Sequence, residues 1–488
     1  MRKILITVIS IVALAALVGC GSSNSASTPS NPSGGNDVGF SNSNLKGTYV
    51  FSGSGLNSSG DNFDITGVFT ADGNGSVTSG VRDIYADPST SVQSETISGS
   101  YSISQDGRGQ LTLTGSSTGQ SIYRFVMQSP SAASFFQFSS NADDTGRIQL
   151  QSTVSAPTGT YVVRLDGEDS SGNVYGAIGG LTISGTSVSG TMDENDTGTL
   201  TTQETASGSL TAPNTNGRGT LQLIYGGVTR NFVYYFTSAN HFELASTDGY
   251  ILHGYADLQT SVSSSTSAFT GDQVYALTGY YSAGTMQETG RLTLGSGLVT
   301  NGVEDYLQGP NSSAGNLFSD VTFTGTYTVG SNGRWTAQVG AAAPNFIGWQ
   351  VSPTQSVLLT SNTGSTLLET GTMRAQDTTV TTSSINGPYA VNLSGYNYND
   401  SGYVELGGNF DANGSGTLSG TVDSQTPGYY NTDISTSGQY SIQSNGRSPN
   451  GNIGGVSVVI YTVDADTAYV ISSDNTRLYQ GKMVLQQP

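Results

Sequence analysis

Residues 63–75 read Phe-Asp-Ile-Thr-Gly-Val-Phe-Thr-Ala-Asp-Gly-Asn-Gly. Across Phe63–Phe69 apolar and polar side chains alternate with a period of two, so the apolar set falls on one face of a β-strand. Ala71-Asp72-Gly73-Asn74-Gly75 then supplies the small residues that accept positive φ in a tight hairpin. The alternation returns at Gln110-Leu111-Thr112-Leu113, just after a second turn signal at Asp106-Gly107. Working outward, eight strands are expected near 47–56, 62–71, 75–85, 95–105, 109–115, 121–128, 133–139 and 145–151. Eight hairpin-linked strands can close into an up-and-down barrel and so leave no unpaired edge. A β-sandwich of the same strands is the competing arrangement, because the period is the same in both.

The block recurs along the chain. Tyr49, Tyr161, Tyr275 and Tyr389 each open a strand-like run, at spacings of 112, 114 and 114 residues. Asp83, Asp193, Asp305 and Asp423 close a second shared block, in GSVTSGVRD, GTSVSGTMD, GSGLVTNGVED and GSGTLSGTVD. A third block pairs Gly with Arg at Gly107-Arg108, Gly217-Arg218, Gly333-Arg334 and Gly446-Arg447. Each unit ends on a Gly and a Gln five residues apart: Gly146/Gln151, Gly254/Gln259, Gly371/Gln376 and Gly481/Gln486. Ser/Thr-rich joins at 152–156, 260–270 and 377–384 set the boundaries. The expected organisation is all-β: four tandem antiparallel domains at 45–151, 157–259, 271–376 and 385–486, barrel favoured over sandwich. At about 105 residues each unit has the size of a domain, so the expected layout is beads on a string rather than a short-period solenoid. The Gly-Thr-Tyr that opens repeats one and two distantly resembles the Gly-x-Trp at the first strand of calycin barrels such as lipocalins and avidins. That resemblance favours a barrel and transfers no ligand-binding residues.

Composition narrows the function. The chain has 16 Lys+Arg against 35 Asp+Glu, a formal charge of −19, and charged residues make up 10% of it. So acidic a chain repels phosphate, which argues against nucleic acid as a partner. One Cys cannot form a disulfide within the chain, and two His with one Cys are too few for a structural zinc site.

That Cys has another use. Arg2 and Lys3 precede an apolar run from Ile4 to Val18, the pattern of a secretory signal at residues 1–19. Its end, Leu17-Val18-Gly19-Cys20, resembles a bacterial lipobox. The resemblance implies that Cys20 is acylated, with palmitate-type chains, and becomes the first mature residue. Gly21 rather than Asp after it implies the outer membrane of a cell that has one. Two or three acyl chains hold durably where one would not. Removal of residues 1–19 leaves 14 cations against 35 acids, a charge of −21. Residues 20–44, rich in Ser, Gly and Asn, read as a flexible tether.

Candidate chemistry is sparse. Asp83, Asp193, Asp305 and Asp423, with Arg108, Arg218, Arg334 and Arg447, form either a repeated polar ligand site or a structural device. In the second reading, which is favoured, an Arg after a hairpin Gly bridges strand ends with the Asp as partner. Asp193, Asn195, Thr197 and Glu204 match positions 1, 3, 5 and 12 of a calcium loop, with Gly198 at position 6. The flanks are strand material rather than the helices of an EF-hand, so an acidic hairpin is the alternative. His241 and His253 read as structural strand residues, and no motif marks a catalytic triad or a glycosidase carboxylate pair. Tyrosine runs at 232–236, 280–281, 396–398 and 429–430 could stack on sugars or proteins, or fill the core with alternate rings. The expected function is a membrane-anchored, non-enzymatic surface lipoprotein for binding, adhesion or display toward polysaccharide or surface proteins. The alternatives are a carrier of small apolar ligands inside its barrels and a carbohydrate-active enzyme. No cofactor is expected beyond the calcium considered above.

Overall fold

In the computed structural model, residues 38–57, 62–86, 91–138, 142–281, 284–309, 315–340, 344–362, 367–399, 402–426 and 429–488 are described. The signal segment, Cys20 and most of the tether fall outside the described residues. Each repeat closes into its own eight-stranded antiparallel barrel. Barrel 1 runs from Lys46 to Leu150, barrel 2 from Gly159 to Leu258, barrel 3 from Gly271 to Ala375 and barrel 4 from Asn386 to Leu485. In every barrel the first strand pairs with both the second and the eighth, which decides barrel over sandwich.

Two of the repeated glycines follow from backbone geometry. Gly107, Gly217, Gly333 and Gly446 have φ of 84°, 82°, 82° and 78°, the left-handed region that closes the turn before the fifth strand. Gly146, Gly254, Gly371 and Gly481 lie where the eighth strand crosses the first. A Cβ there would run into the carbonyl oxygen of Ser52, Arg164, Ala276 or Asn392 respectively.

Inward-facing side chains fill barrels 1 to 3 and include charged groups. In barrel 1 Arg82 pairs with Glu95 at 2.8 Å, both side chains 0% exposed. In barrel 2 Arg230 lies 4.0 Å over the Tyr225 ring and 3.0 Å from Glu194. In barrel 3 Glu288, Glu304 and Glu369 are all buried, with the Tyr275 hydroxyl donating to Glu304 at 2.8 Å. Barrel 4 places Val422 at the third-strand position occupied by Arg82 in barrel 1 and Glu304 in barrel 3.

The beads-on-a-string expectation is corrected. The barrels pack side by side around a common axis as a closed ring, because their outer faces carry apolar side chains that must also leave water. Val50, Val68 and Tyr85 of barrel 1 meet Val233, Tyr235 and Ala245 of barrel 2. Val162 and Ile178 of barrel 2 meet Ile347, Trp349 and Leu359 of barrel 3. Val274 and Leu307 of barrel 3 meet Val459, Tyr461 and Ile471 of barrel 4. Barrel 4 returns to barrel 1 through Phe136, packed on Gly407, and through a set of polar contacts.

Candidate functional site at the barrel junctions and the ring axis

The recurring Asp residues lie on the third strand of each barrel and the recurring Arg residues open the fifth. Each Arg reaches the Asp of the preceding barrel. Arg218 grips Asp83 with Nε and Nη2 at 2.8 and 2.9 Å. Arg334 grips Asp193 at 2.9 and 2.7 Å, and Arg447 grips Asp305 at 2.9 and 2.7 Å. Arg108 of barrel 1 completes the cycle on Asp423 of barrel 4, through Nη1 at 3.0 Å. All four carboxylates are buried, and two-point guanidinium contact suits such sites.

Three junctions add an aromatic donor to the same carboxylate: Tyr235 to Asp83 at 2.6 Å, Trp349 to Asp193 at 2.8 Å and Tyr461 to Asp305 at 2.5 Å. In the fourth, Val126 takes that register position beside Arg108, whose charge is shared with Asp106 and Asp433 at 2.8 and 3.0 Å. Burial holds the Asp423 carboxyl above its ordinary range, although Arg108 and Arg124 pull it down.

Each Asp also accepts a backbone N–H from a left-handed residue on the fourth strand. These residues are Ser94, Gln203, Asp320 and Asp433, with φ of 53°, 55°, 55° and 57°. Only two of the four, Asp320 and Asp433, share a residue type, so the repeat comparison could not find the position.

The terminal Gln of each repeat is a second clamp. Gln151 donates to the carbonyls of Asn216 and Phe236, Gln259 to Asn332 and Gln350, and Gln376 to Asn445 and Thr462. Gln486 donates to Asp106 at 3.1 Å and Met127 at 2.7 Å, back in barrel 1.

The calcium arrangement does not form. Asp193 is taken by Arg334 and Trp349, and Asn195 donates to the carbonyls of Thr360 and Leu367, each at 3.3 Å. Both lie on the outer face of barrel 2. Glu204, paired with Met192 of the barrel core, lies on the opposite face. Thr197, with φ of 48°, donates to the Val174 carbonyl. Strand alternation thus separates Glu204 from Asp193 and Asn195. The tyrosine run at 232–236 is buried throughout, inside the barrel and in the junction, so it offers no platform. Tyr281, Tyr429 and Tyr430 are exposed.

Where the four barrels meet, a cavity of about 310 Å³ is lined from every repeat, including Ser54, Asp64, Asp166, His253, Gln287, Thr370 and Glu405. His253 sits between two carboxylates: Nε2 is 2.7 Å from Asp166 and Nδ1 is 3.5 Å from Asp64. Burial alone would depress its imidazole, but the charge and hydrogen bond of Asp166, with Asp64 behind, push it up to about 9. Burial pushes the Asp64 carboxyl up to about 7, against the pull of His253. Asp166 is held below its ordinary range by Arg164, at 2.9 Å, and by His253, which outweigh its burial.

The Ser54 hydroxyl is 3.2 Å from His253 Nε2. A general base must be neutral to accept a proton, and this imidazole is charged at neutral pH. The contact is therefore a hydrogen bond within an ion-pair network, not an activated nucleophile.

A cationic group lies near the same axis. Lys482 of barrel 4 reaches solvent and lies 5.5 Å from the centre of the Tyr469 ring. Crowding by the surrounding protein, with the charges of Arg147, Arg374 and Arg164 from the other three barrels, lowers its ammonium to about 8. The other histidine, His241, is tied to Asp257 at 2.6 Å and to Glu243 at 2.9 Å, and Arg147 crosses from barrel 1 to grip Glu243.

No protein-family model and no curated protein matches the chain. Among solved structures, isotype 1 transferrin binding protein B from serogroup B Neisseria meningitidis is 10% identical, over 70% of this chain and 79% of that one, with a TM-score of 0.20. Intact Ap-TbpB, with its N and C lobes, is 7% identical over 72% and 83%, with a TM-score of 0.17. Similarity at that level carries no argument about ligand or site, and the barrel assignment rests on the strand pairing itself.

Proposed function

We propose that the protein is an exported, lipid-anchored, non-enzymatic binding module that offers the axial end of its barrel ring to a polysaccharide or a surface protein. The observation that carries this reading is the axial cavity, a polar site to which all four repeats contribute. Hydroxyls and amides from Ser54, Thr278, Gln287 and Thr370, with carboxylates and an imidazolium beside them, suit a hydroxyl-rich ligand. Cys20 would hold the ring to the outer membrane, with the tether as spacer.

The chain from Gly21 onward, run on a glycan panel, is expected to bind one saccharide class, and Thr278→Trp, which fills the cavity, to abolish that binding. Binding indifferent to Thr278→Trp would remove the axial site from the reading. Cys20→Ser is expected to release the protein from membranes.

A second reading is supported by Asp64 and Asp166, whose carboxyls are pushed in opposite directions as in acid–nucleophile pairs. It is the weaker reading because the Asp64 side chain, 4% exposed, lies behind His253. Saccharide cleavage by the wild type, lost in Asp166→Asn, would bring it forward.

A further inference from the structure

The carrier alternative requires an open lined space, and barrels 1 to 3 place buried charged side chains across theirs. Barrel 4 differs. A cavity of about 350 Å³ opens at its mouth, floored by Val404, Leu406, Val422 and Val456, all of which belong to the barrel core. Ile434 points inward by register opposite Val422, yet is 38% exposed, so an inward apolar side chain faces solvent. Two features of the chain leave this space. The third-strand position occupied by Arg82 in barrel 1 and Glu304 in barrel 3 is the smaller Val422. The fourth and fifth strands of barrel 4, Tyr429–Gln439 and Arg447–Ile453, pair at one position, Gln439 with Asn452, where the same seam in barrel 1 has seven pairs.

The rim is polar and carries one charge. Arg477 lies on the eighth strand, two residues before the core residue Tyr479, and so shares its inward register. Among the described residues of the wall it is the one cation, and none of them is an acid. Its Nη1 donates to the Gly455 carbonyl at 3.3 Å, a long bond to a neutral acceptor. A guanidinium at the lip of a pocket with an apolar floor selects for an anion with an apolar tail.

We propose that the mouth of barrel 4 binds a small monoanionic amphiphile, an alkyl carboxylate whose tail enters the barrel and whose headgroup pairs with Arg477. This site is separate from the ring axis, and each reading can fail alone.

The test is calorimetric titration of the chain from Gly21 onward, which keeps every described residue, with sodium octanoate and with octan-1-ol. Octanoate is expected to bind at one site. Arg477→Gln is expected to weaken octanoate roughly tenfold while leaving octan-1-ol unchanged, as loss of one charge-assisted contact predicts. Ile434→Trp, which fills the mouth from an exposed position, is expected to abolish binding of both. Thr278→Trp at the axis is expected to leave both intact. No octanoate binding, or binding unaffected by Ile434→Trp and Arg477→Gln, would overturn the proposal. Should Ile434→Trp fail to fold by circular dichroism, the octanoate-to-octanol ratio in Arg477→Gln decides alone.

Discussion

Arg108, at the start of the fifth strand of barrel 1, donates to Asp423 on the third strand of barrel 4, 315 residues further along the chain. That contact turns a linear array into a ring. It repeats the relation between Arg218 and Asp83, Arg334 and Asp193, and Arg447 and Asp305. Each barrel therefore supplies one acid to the next barrel and one base to the previous one.

The Asp305–Arg447 junction should respond asymmetrically to mutation. Asp305→Ala leaves the guanidinium beside Tyr461 with Asp320 as its remaining acid, and about 1.5–3 kcal/mol of stability should be lost. Asp305→Leu with Arg447→Met removes both charges and should recover most of that loss. Urea unfolding measures both, and a single-mutant loss under about 1 kcal/mol would mean the pair is structurally idle.

The seam between barrels 4 and 1 should be where the ring opens. Three junctions combine their ion pair with a multi-residue apolar cluster, whereas the fourth joins Arg108, Gln486 and their polar partners to a few aromatic contacts, Phe136 on Gly407 and Phe138 on Tyr430 at 4.9 Å. Arg108→Ala with Gln486→Ala should raise the radius of gyration in small-angle X-ray scattering. The equivalent Arg218→Ala with Gln151→Ala should not, since Val50, Val68 and Val233 remain in contact. Equal responses from the two doubles would refute the asymmetry.

Barrel 3 should lose stability as pH rises. Burial pushes Glu288 up to about 7 and Glu304 and Glu369 further, all three from an ordinary value of 4.5. Carboxyls with raised folded-state values favour the folded state most below about 4.5. That advantage fades as pH climbs through 7 and beyond, because the unfolded chain has already released its protons. Glu304→Gln should flatten the decline and raise the unfolding midpoint at pH 8. A midpoint independent of pH between 5 and 8 in the wild type would contradict this.

His253 should titrate near 9. Its folded value lies above the ordinary 6.5, so its stabilisation is complete below about 6.5 and is lost as pH rises through about 9. Nitrogen-detected NMR of the imidazole, in a His241→Gln background, should find the ring protonated at pH 8. Asp166→Asn should lower its midpoint by about one unit or more. A neutral ring at pH 7 in the wild type would reopen Ser54 as a nucleophile.

Much of the barrel was legible because hairpin chemistry and strand alternation are local. The turn glycine at Gly107 and the crossing glycine at Gly146 recur because each closes a geometry within its own repeat. The candidate site was less legible. Asp64, Asp166 and His253 come from two repeats, and no spacing in the chain relates them. Ser94 and Gln203 occupy one backbone role with different side chains, because the N–H rather than the side chain meets the Asp. The Asp193–Glu204 pattern looked like a calcium loop because a linear motif does not record sheet faces, and the odd and even positions of a strand point apart.

By itself the sequence determined four copies of an eight-stranded antiparallel unit, since period-two alternation and hairpin glycines act over a few residues. It also marked Asp83 and Arg108, with their counterparts, as recurring charges. Only the tertiary structure decided which Asp meets which Arg. Pairing within a barrel and pairing between neighbours leave the same pattern in the chain. The choice falls to whichever outer faces bury their apolar side chains together, and around a ring each face finds its partner on the next barrel.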